Sequence, residues 1–268
     1  MYDITFIIPT IGRETLSNSI KSIEDQTSNN WKIIIIFDGI EPTIHTSNSK
    51  IQIIKSDKKG KDENSAGNVR NYGMSFCTTK WIAFLDDDDV ISNNYVETFN
   101  NEIKEYPNID VIIFRMCRNN IILPILDTDS FYEGFVGISF AIKTEIFKNG
   151  HKFIPSKIED FKYLELLKNN NYKIMISPYV KYYVGTNDID NINNGIIGNR
   201  VFINNDAVNN EGFTTNTGNK YIIMYVIALV ALVGLVGLIT FYKLLPILLL
   251  LFIYLIFYTI NKYLCKEF

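Results

Sequence analysis

Cysteine is scarce in this chain, and its spacing excludes two kinds of scaffold. The 268 residues hold three cysteines, Cys77, Cys117 and Cys265. They are far apart and fit no C-x-x-C pattern, which argues against a structural zinc site or a disulfide framework and points to a reducing compartment. Concentrated positive charge is missing too. The formal net charge is -3, and no basic block is longer than Lys58-Lys59-Gly60-Lys61, so a face that tracks nucleic-acid phosphates is excluded. The first residues lack the positive segment and long apolar run of a signal peptide. Asparagine is abundant, yet no Asn-x-Ser/Thr acceptor occurs. Both features lead us to expect a cytosolic first domain. No internal repeat is visible.

What is present is an alternation of short apolar strands and amphipathic helices over residues 1–185, with 47% hydrophobic residues overall. That supports one α/β domain with a mostly parallel sheet flanked by helices. The pattern predicts a strand over 4–8, stopped by Pro9. A helix over 13–26 follows from Leu16, Ile20 and Ile23 at helical spacing. Strands are expected at 31–37, ended by Asp38-Gly39, and at 51–54. A helix over 66–77 would place Val69, Gly73 and Phe76 on one face. A further helix, capped by Asn93, would bury Val96, Phe99 and Ile103 and stop before Pro107. Strands at 109–116 and around 121–126, a loop at 134–137, a helix at 159–168 and a strand at 172–177 before Pro178 complete the domain.

Residues 186–220 are rich in Asn, Gly and Asp with little periodicity, so they read as a linker or flap, with disorder the competing reading. Residues 221–242 then form an uncharged run, Lys243 interrupts, and 244–260 form a second. At ~1.5 Å rise per helical residue the first run covers a ~30 Å hydrocarbon core, and the second sits near the ~17-residue lower limit. We expect a transmembrane helical hairpin over 221–262 and a tail at 263–268. A single kinked span and a re-entrant pair are the alternatives. Lys220, Lys262 and Lys266 fall on the side opposite Lys243, which places both ends in the cytosol by the positive-inside rule.

The chemical centre is Asp86-Asp87-Asp88-Asp89, which ends the apolar run Trp81-Ile82-Ala83-Phe84-Leu85. Like charges a few ångströms apart repel by roughly 1 to 4 kcal/mol per pair at intermediate dielectric. A solvated acidic turn is one way to tolerate that; a divalent cation is the other, and hard carboxylate oxygens suit Mg2+ or Mn2+. Polar residues also end strand one (Pro9-Thr10) and strand two (Asp38-Gly39). In open α/β sheets, ligands gather outside the carboxyl ends of the strands, so these ends form one rim.

The motifs "TFIIPTIGR", "IIIIFDG", "GNVRNYG", "WIAFLDDDDV" and "IEDFKYLELL" resemble, in order and approximate spacing, the family 2 glycosyltransferases with a GT-A fold, over about two-thirds of the chain. The resemblance implies a GT-A-type, Rossmann-like sheet. It also implies inverting transfer of a sugar from a nucleoside-diphosphate sugar, typically a UDP-sugar, with Mn2+ or Mg2+. By the same resemblance Asp38 reads the base and Pro9 and Thr10 lie against the nucleoside. Arg70 sits near the diphosphate or braces the acidic cluster. The D-x-D falls on Asp86 and Asp88, with a register open by one residue: Asp88 binds the metal, Asp86 contacts ribose or metal, and Asp87 holds the variable position beside the nucleotide. Asp160 matches the catalytic base and Glu159 orients the acceptor or Asp160. An acidic pair in the first turn of a helix is also ordinary helix chemistry. Many relatives complete the metal site with a late His, whereas "SPYVKYYVGTND" offers only Tyr182, Tyr183, Asn187 and Asp188, and His45 and His151 lie elsewhere.

These features imply a membrane-anchored, metal-dependent transferase acting on a glycan or lipid-linked acceptor, with its catalytic domain in the cytosol and no nucleic-acid partner. A polyprenyl-phosphate glycosyltransferase is a subsidiary reading. A catalytically silent sugar-nucleotide-binding scaffold is the reading from another class. A nucleotidyltransferase is a third, opposed by the single Gly and single Arg in "PTIGRET".

Overall fold

The computed structural model describes residues 4–60, 66–125, 130–185 and 200–203. The hairpin expected over 221–262, the tail at 263–268 and most of the 186–220 stretch lie outside the described residues. Among those described, no helix is long and apolar enough to cross a membrane.

The chain runs β1 (Ile4–Thr10), α1 (Leu16–Glu24), β2 (Trp31–Asp38), β3 (Ile51–Ser56), α2 (Ala66–Met74), β4 (Trp81–Phe84) and β5 (Val90–Ile91). It continues with α3 (Tyr95–Glu105), β6 (Val111–Arg118), β7 (Ile121–Leu123), β8 (Phe140–Lys143), α4 (Thr144–Lys148), α5 (Glu159–Asn169), β9 (Ile174–Tyr183) and β10 (Val201–Ile203). All ten strands join one sheet, whose main path is β10-β9-β6-β8-β4-β1-β2-β3.

The sheet is mixed, not mostly parallel as the alternating pattern suggested. β3, β2, β1 and β4 are parallel neighbours. β8 then runs antiparallel to both β4 and β6, and β5, β7 and β10 are antiparallel additions. The cause lies in the connections. A parallel pair needs a crossover of a dozen or more residues, usually a helix. No helix is described between β6 and β8, and the chain returns in the opposite sense. β6 turns directly into β7 through Asn119 and Asn120, both with positive φ (49° and 61°), as a two-residue hairpin turn of primed type requires.

Two strands pass through prolines that were expected to stop them. Pro9 lies inside β1, paired with Ile36. Backbone groups of alternate residues face the same side, and the Ile7 carbonyl accepts from the Leu85 amide. Pro9 therefore turns its missing N–H toward the β4 side, where no strand remains to bond it. β1 pairs with β2 from Ile4 through Thr10 but with β4 only from Ile4 through Ile7. The sheet has a step at that point. Pro178 lies inside β9 where the register with β6 shifts between Ile113 and Arg115, and such bulges absorb an unpaired residue.

The central strands are apolar on both faces, as strands buried in the middle of a layered sheet must be. Phe6, Ile7, Ile8, Ile35, Ile36, Ile112 and Ile113 are fully buried. Gly73 lets α2 lie close against this layer, because a Cβ there would meet Ile7 Cγ2 at 2.8 Å. Helix ends differ from expectation. α1 starts at Leu16, leaving Arg13 outside it. α2 ends at Met74 and not at Cys77, so Phe76 lies beyond the helix, 36% exposed. α3 is preceded by Asn94, which makes no side-chain cap, and Ile103 is only partly buried. Inside the stretch read as a linker, β10 pairs on the outer edge of β9. Arg200 anchors it through a two-pronged bond to the buried Glu102, at 2.8 and 3.1 Å.

Candidate active site

At the step in the sheet, the four aspartates alternate in direction. Asp87 and Asp89 are 5% exposed and point inward. Asp87 accepts from the Thr10 hydroxyl at 2.7 Å and from Arg13 at 3.1 Å, so it ties the acidic turn to the end of β1. Burial raises its pKa against those two partners. Asp89 accepts from the Tyr182 hydroxyl at 2.7 Å and from the Gly185 amide at 2.8 Å. Burial, reinforced by Asp86, pushes it up to about 7. Tyr182 also accepts from the Asp86 amide, so β9 buttresses the turn.

Asp86 and Asp88 remain accessible, with side chains 34% and 47% exposed. They border a cavity of about 750 Å3 together with Pro9, Thr10, Asp38 and Asp87. Each gives one oxygen to an arginine at 2.5 Å: Asp86 to Arg70 and Asp88 to Arg13. Arg13 was not singled out from the sequence. Its position directly after strand one, within "PTIGR", was the available signal. Asp38 borders the same cavity but is 3% exposed. Its carboxylate accepts from the amides of Lys59 at 2.6 Å and Gly60 at 3.0 Å, so it fixes the loop after β3.

Arg70 is the hinge of the arrangement. It is 3% exposed and faces Asp86 and Glu159 at 2.5 Å each and Asp160 at 3.7 Å. Burial alone would lower its pKa, but Asp86, Asp160 and Glu159 outweigh burial and hold it above the ordinary arginine value. Glu159 borders neither this cavity nor the next. It accepts from Arg70 and from the Gly67 amide at 2.9 Å and so fastens α5 to α2. Gly67 permits that contact: a Cβ there would lie 2.6 Å from Glu159 Oε2 and 2.7 Å from Phe153 Cβ.

Asp160 opens instead into a second cavity of about 270 Å3, which also has Asp86 on its wall. Its Oδ1 is buried and has no hydrogen-bond partner. Burial raises Asp160, Arg70 opposes, and Asp86 and Glu159 add to the rise, leaving it at about 7. Asp86 thus belongs to both cavities, and Arg70 joins it to Asp160. The structure brings together Pro9, Thr10, Asp38, Arg70, Asp86, Asp87 and Asp88 on the first cavity and places Asp160 on the adjoining one.

Among the described residues, no group of three or more His, Cys, Asp or Glu side chains is arranged to hold a metal ion. Tyr182 is committed to Asp89, and Asn187 and Asp188 lie outside the described residues. Mg2+ and similar ions are commonly held by one or two carboxylates plus substrate phosphates. The exposed carboxylates of Asp86 and Asp88 fit that smaller requirement.

The two cavities share Asp86 and lie beside the carboxyl ends of the parallel strands, the place where ligands collect in open α/β sheets. The chain belongs to glycosyl transferase family 2, whose model matches residues 5–164. It is similar to the poly(ribitol-phosphate) beta-N-acetylglucosaminyltransferase TarP of Staphylococcus aureus, with 28% identity over 75% of this chain and 69% of that protein. It is also similar to the UDP-Glc:alpha-D-GlcNAc-diphosphoundecaprenol beta-1,3-glucosyltransferase WfgD of Escherichia coli, with 30% identity over 36% of this chain and 39% of that protein. Among solved structures, S. aureus TarS 1-349 shares the fold with a TM-score of 0.55, at 16% identity over 68% of this chain and 60% of that one. The chain spans between 14% and 69% of the length of the curated relatives it matches.

Proposed function

We propose that the chain transfers a sugar, with inversion, from a UDP-sugar bound in the larger cavity to a hydroxyl of a glycan or lipid-linked acceptor in the smaller one. One observation carries this reading. A carboxyl group held near neutrality, Asp160, faces one cavity while the acid and arginine cluster suited to a diphosphate faces the other, and Arg70 links the two. Family membership and the TarS structure solved with UDP-GlcNAc support the choice of donor.

In this reading Asp38 holds the loop against which the nucleoside lies, and Pro9 and Thr10 form the wall opposite. Arg13 and Arg70 present guanidinium groups to the diphosphate. Asp88, with Asp86, would hold a Mg2+ or Mn2+ ion, which when bound supplies charge stabilisation for the leaving diphosphate. Asp160 takes the proton of the acceptor hydroxyl as its oxygen attacks the anomeric carbon, and the carbon–oxygen bond to the phosphate breaks. A base whose pKa lies near the working pH is well placed for that transfer. Glu159 positions Arg70 and α5. Residues 221–262 anchor the domain to a membrane as a hairpin with both ends cytosolic, which the lysine distribution supports.

The test is a donor screen with the purified full chain, measuring release of each nucleoside diphosphate with Mn2+, Mg2+ or EDTA. Metal-dependent release from at least one UDP-sugar, with product of inverted configuration, is expected. If no donor is consumed although UDP-sugars bind, the chain is the silent scaffold.

A further inference from the structure

The smaller cavity carries an uneven set of charges. Its three carboxylates are already answered inside the fold: Asp86 and Asp160 by Arg70, and Asp89 by the Tyr182 hydroxyl and the Gly185 amide. Two cations on the same cavity are not answered. Arg118 ends β6, and Lys157 lies three positions before Asp160 in sequence. Both are exposed, and neither has an ion pair or side-chain hydrogen bond among the described residues. They reach the cavity from different elements, the sheet and the entry to α5.

The remaining wall is apolar, with Met116, Val136, Ile138 and Phe161. At about 270 Å3, the space falls just under the ~300 Å3 at which small-molecule sites begin. That is room for a unit about the size of one sugar ring. A ring and a neutral chain would leave both cations unused. An arginine and a lysine on one cavity wall without carboxylate partners are groups suited to recognising a phosphate, the guanidinium through paired N–H bonds and the ammonium as a point charge.

We propose that the acceptor carries a phosphate ester or diphosphate beside the hydroxyl that is glycosylated, and that Arg118 and Lys157 bind it and so deliver the hydroxyl to Asp160. This rests on the reading of Asp160 as the base. The phosphate comes either from a lipid diphosphate-linked sugar or from a polyol-phosphate polymer, and the two sources share this chemistry.

The experiment compares three acceptors with the full chain: a farnesyl diphosphate-linked sugar, a polyol-phosphate oligomer and the same sugar as a neutral alkyl glycoside. Transfer rates are measured alongside direct binding of each acceptor in saturating UDP, which blocks the donor cavity. One or both phosphorylated acceptors should exceed the neutral glycoside in kcat/KM by about tenfold or more, the loss expected for one charge-assisted hydrogen bond. The arm that wins identifies the source. In Arg118→Gln and Lys157→Gln that preference should collapse toward unity through the acceptor KM, and Arg118→Lys should restore part of it. Equal use of neutral and phosphorylated acceptors by the native chain overturns the inference and leaves the transferase reading intact. Phosphate-dependent binding that needs Arg118 and Lys157, without transfer to any acceptor, upholds the anion site and overturns the base assignment.

Discussion

The two cavities use charge in opposite ways. On the larger one, formed where β1, β2 and β4 end, every carboxylate is engaged: Asp38 by amides, Asp87 by Thr10 and Arg13, Asp88 by Arg13 and Asp86 by Arg70. On the smaller one, Asp160 keeps an oxygen with no hydrogen bond. A region that binds benefits from donors and acceptors held in place before the ligand arrives, since ordering costs are then already met. The proton transfer we propose for the smaller cavity needs a group whose two protonation states lie close in free energy, and burial beside a shared arginine provides one.

The largest effect should come from the proton-transfer side. Asp160→Asn is expected to lower transfer by ~10²- to 10⁴-fold, the usual worth of a positioned base, with UDP-sugar affinity unchanged by calorimetry. If affinity falls in parallel, the division between the cavities fails. The pH profile sharpens the same point. As the proposed base, Asp160 must be ionised to act, so kcat should fall about tenfold per unit below pH 7. The stability contribution has the opposite sense. Asp160 and Asp89 are both raised to about 7 from 3.8, so the folded state binds more protons than the unfolded one between those values. The stability they contribute is full below about pH 4 and is lost as pH rises through 7, which denaturation at a series of pH values would show.

Next in size is Arg70→Leu. Removing one member of a buried ionic group leaves its partners uncompensated and costs about 3 to 5 kcal/mol, measured by urea denaturation. Both cavities should suffer, because Asp86 and Asp160 lose the same partner. Gly67→Ala follows, at about 1 to 3 kcal/mol for overpacking against Glu159 and Phe153, and its activity loss should exceed that of a matched surface substitution because α5 shifts. The smallest is Arg13→Gln, with its half-exposed side chain. Donor affinity should weaken by about tenfold or less, with acceptor KM unmoved, as initial-rate kinetics would reveal.

Much of the binding half was legible because it obeys local rules. Ile33–Phe37 and Trp81–Leu85 are continuous apolar runs, each followed directly by an aspartate, and the rim follows from where strands stop. The alternation of Asp86 and Asp88 outward and Asp87 and Asp89 inward could not be read from identical residues; it is set by Thr10 and Tyr182, which are distant in sequence. The smaller cavity and the short strands were harder. β8 and β10 are four and three residues long and are defined by their neighbours more than by their own pattern. Asn119-Asn120 did carry a turn signal. Prolines 9 and 178 misled because their tolerance depends on a missing neighbour strand and a bulge, which are properties of the sheet. Glu159 and Asp160, adjacent in sequence, face different surroundings because the helix turns between them, one toward Gly67 and the other toward open space.

The early end of β4 has a consequence for how this molecule can diverge. β1 and β2 continue side by side to Thr10 and Phe37 while β4 stops beside Ile7, so the room for a ligand is space a longer strand would have occupied, and not a hollow carved by small side chains. Changes of side chain along its margin can therefore alter which molecule is accommodated while the recess itself survives.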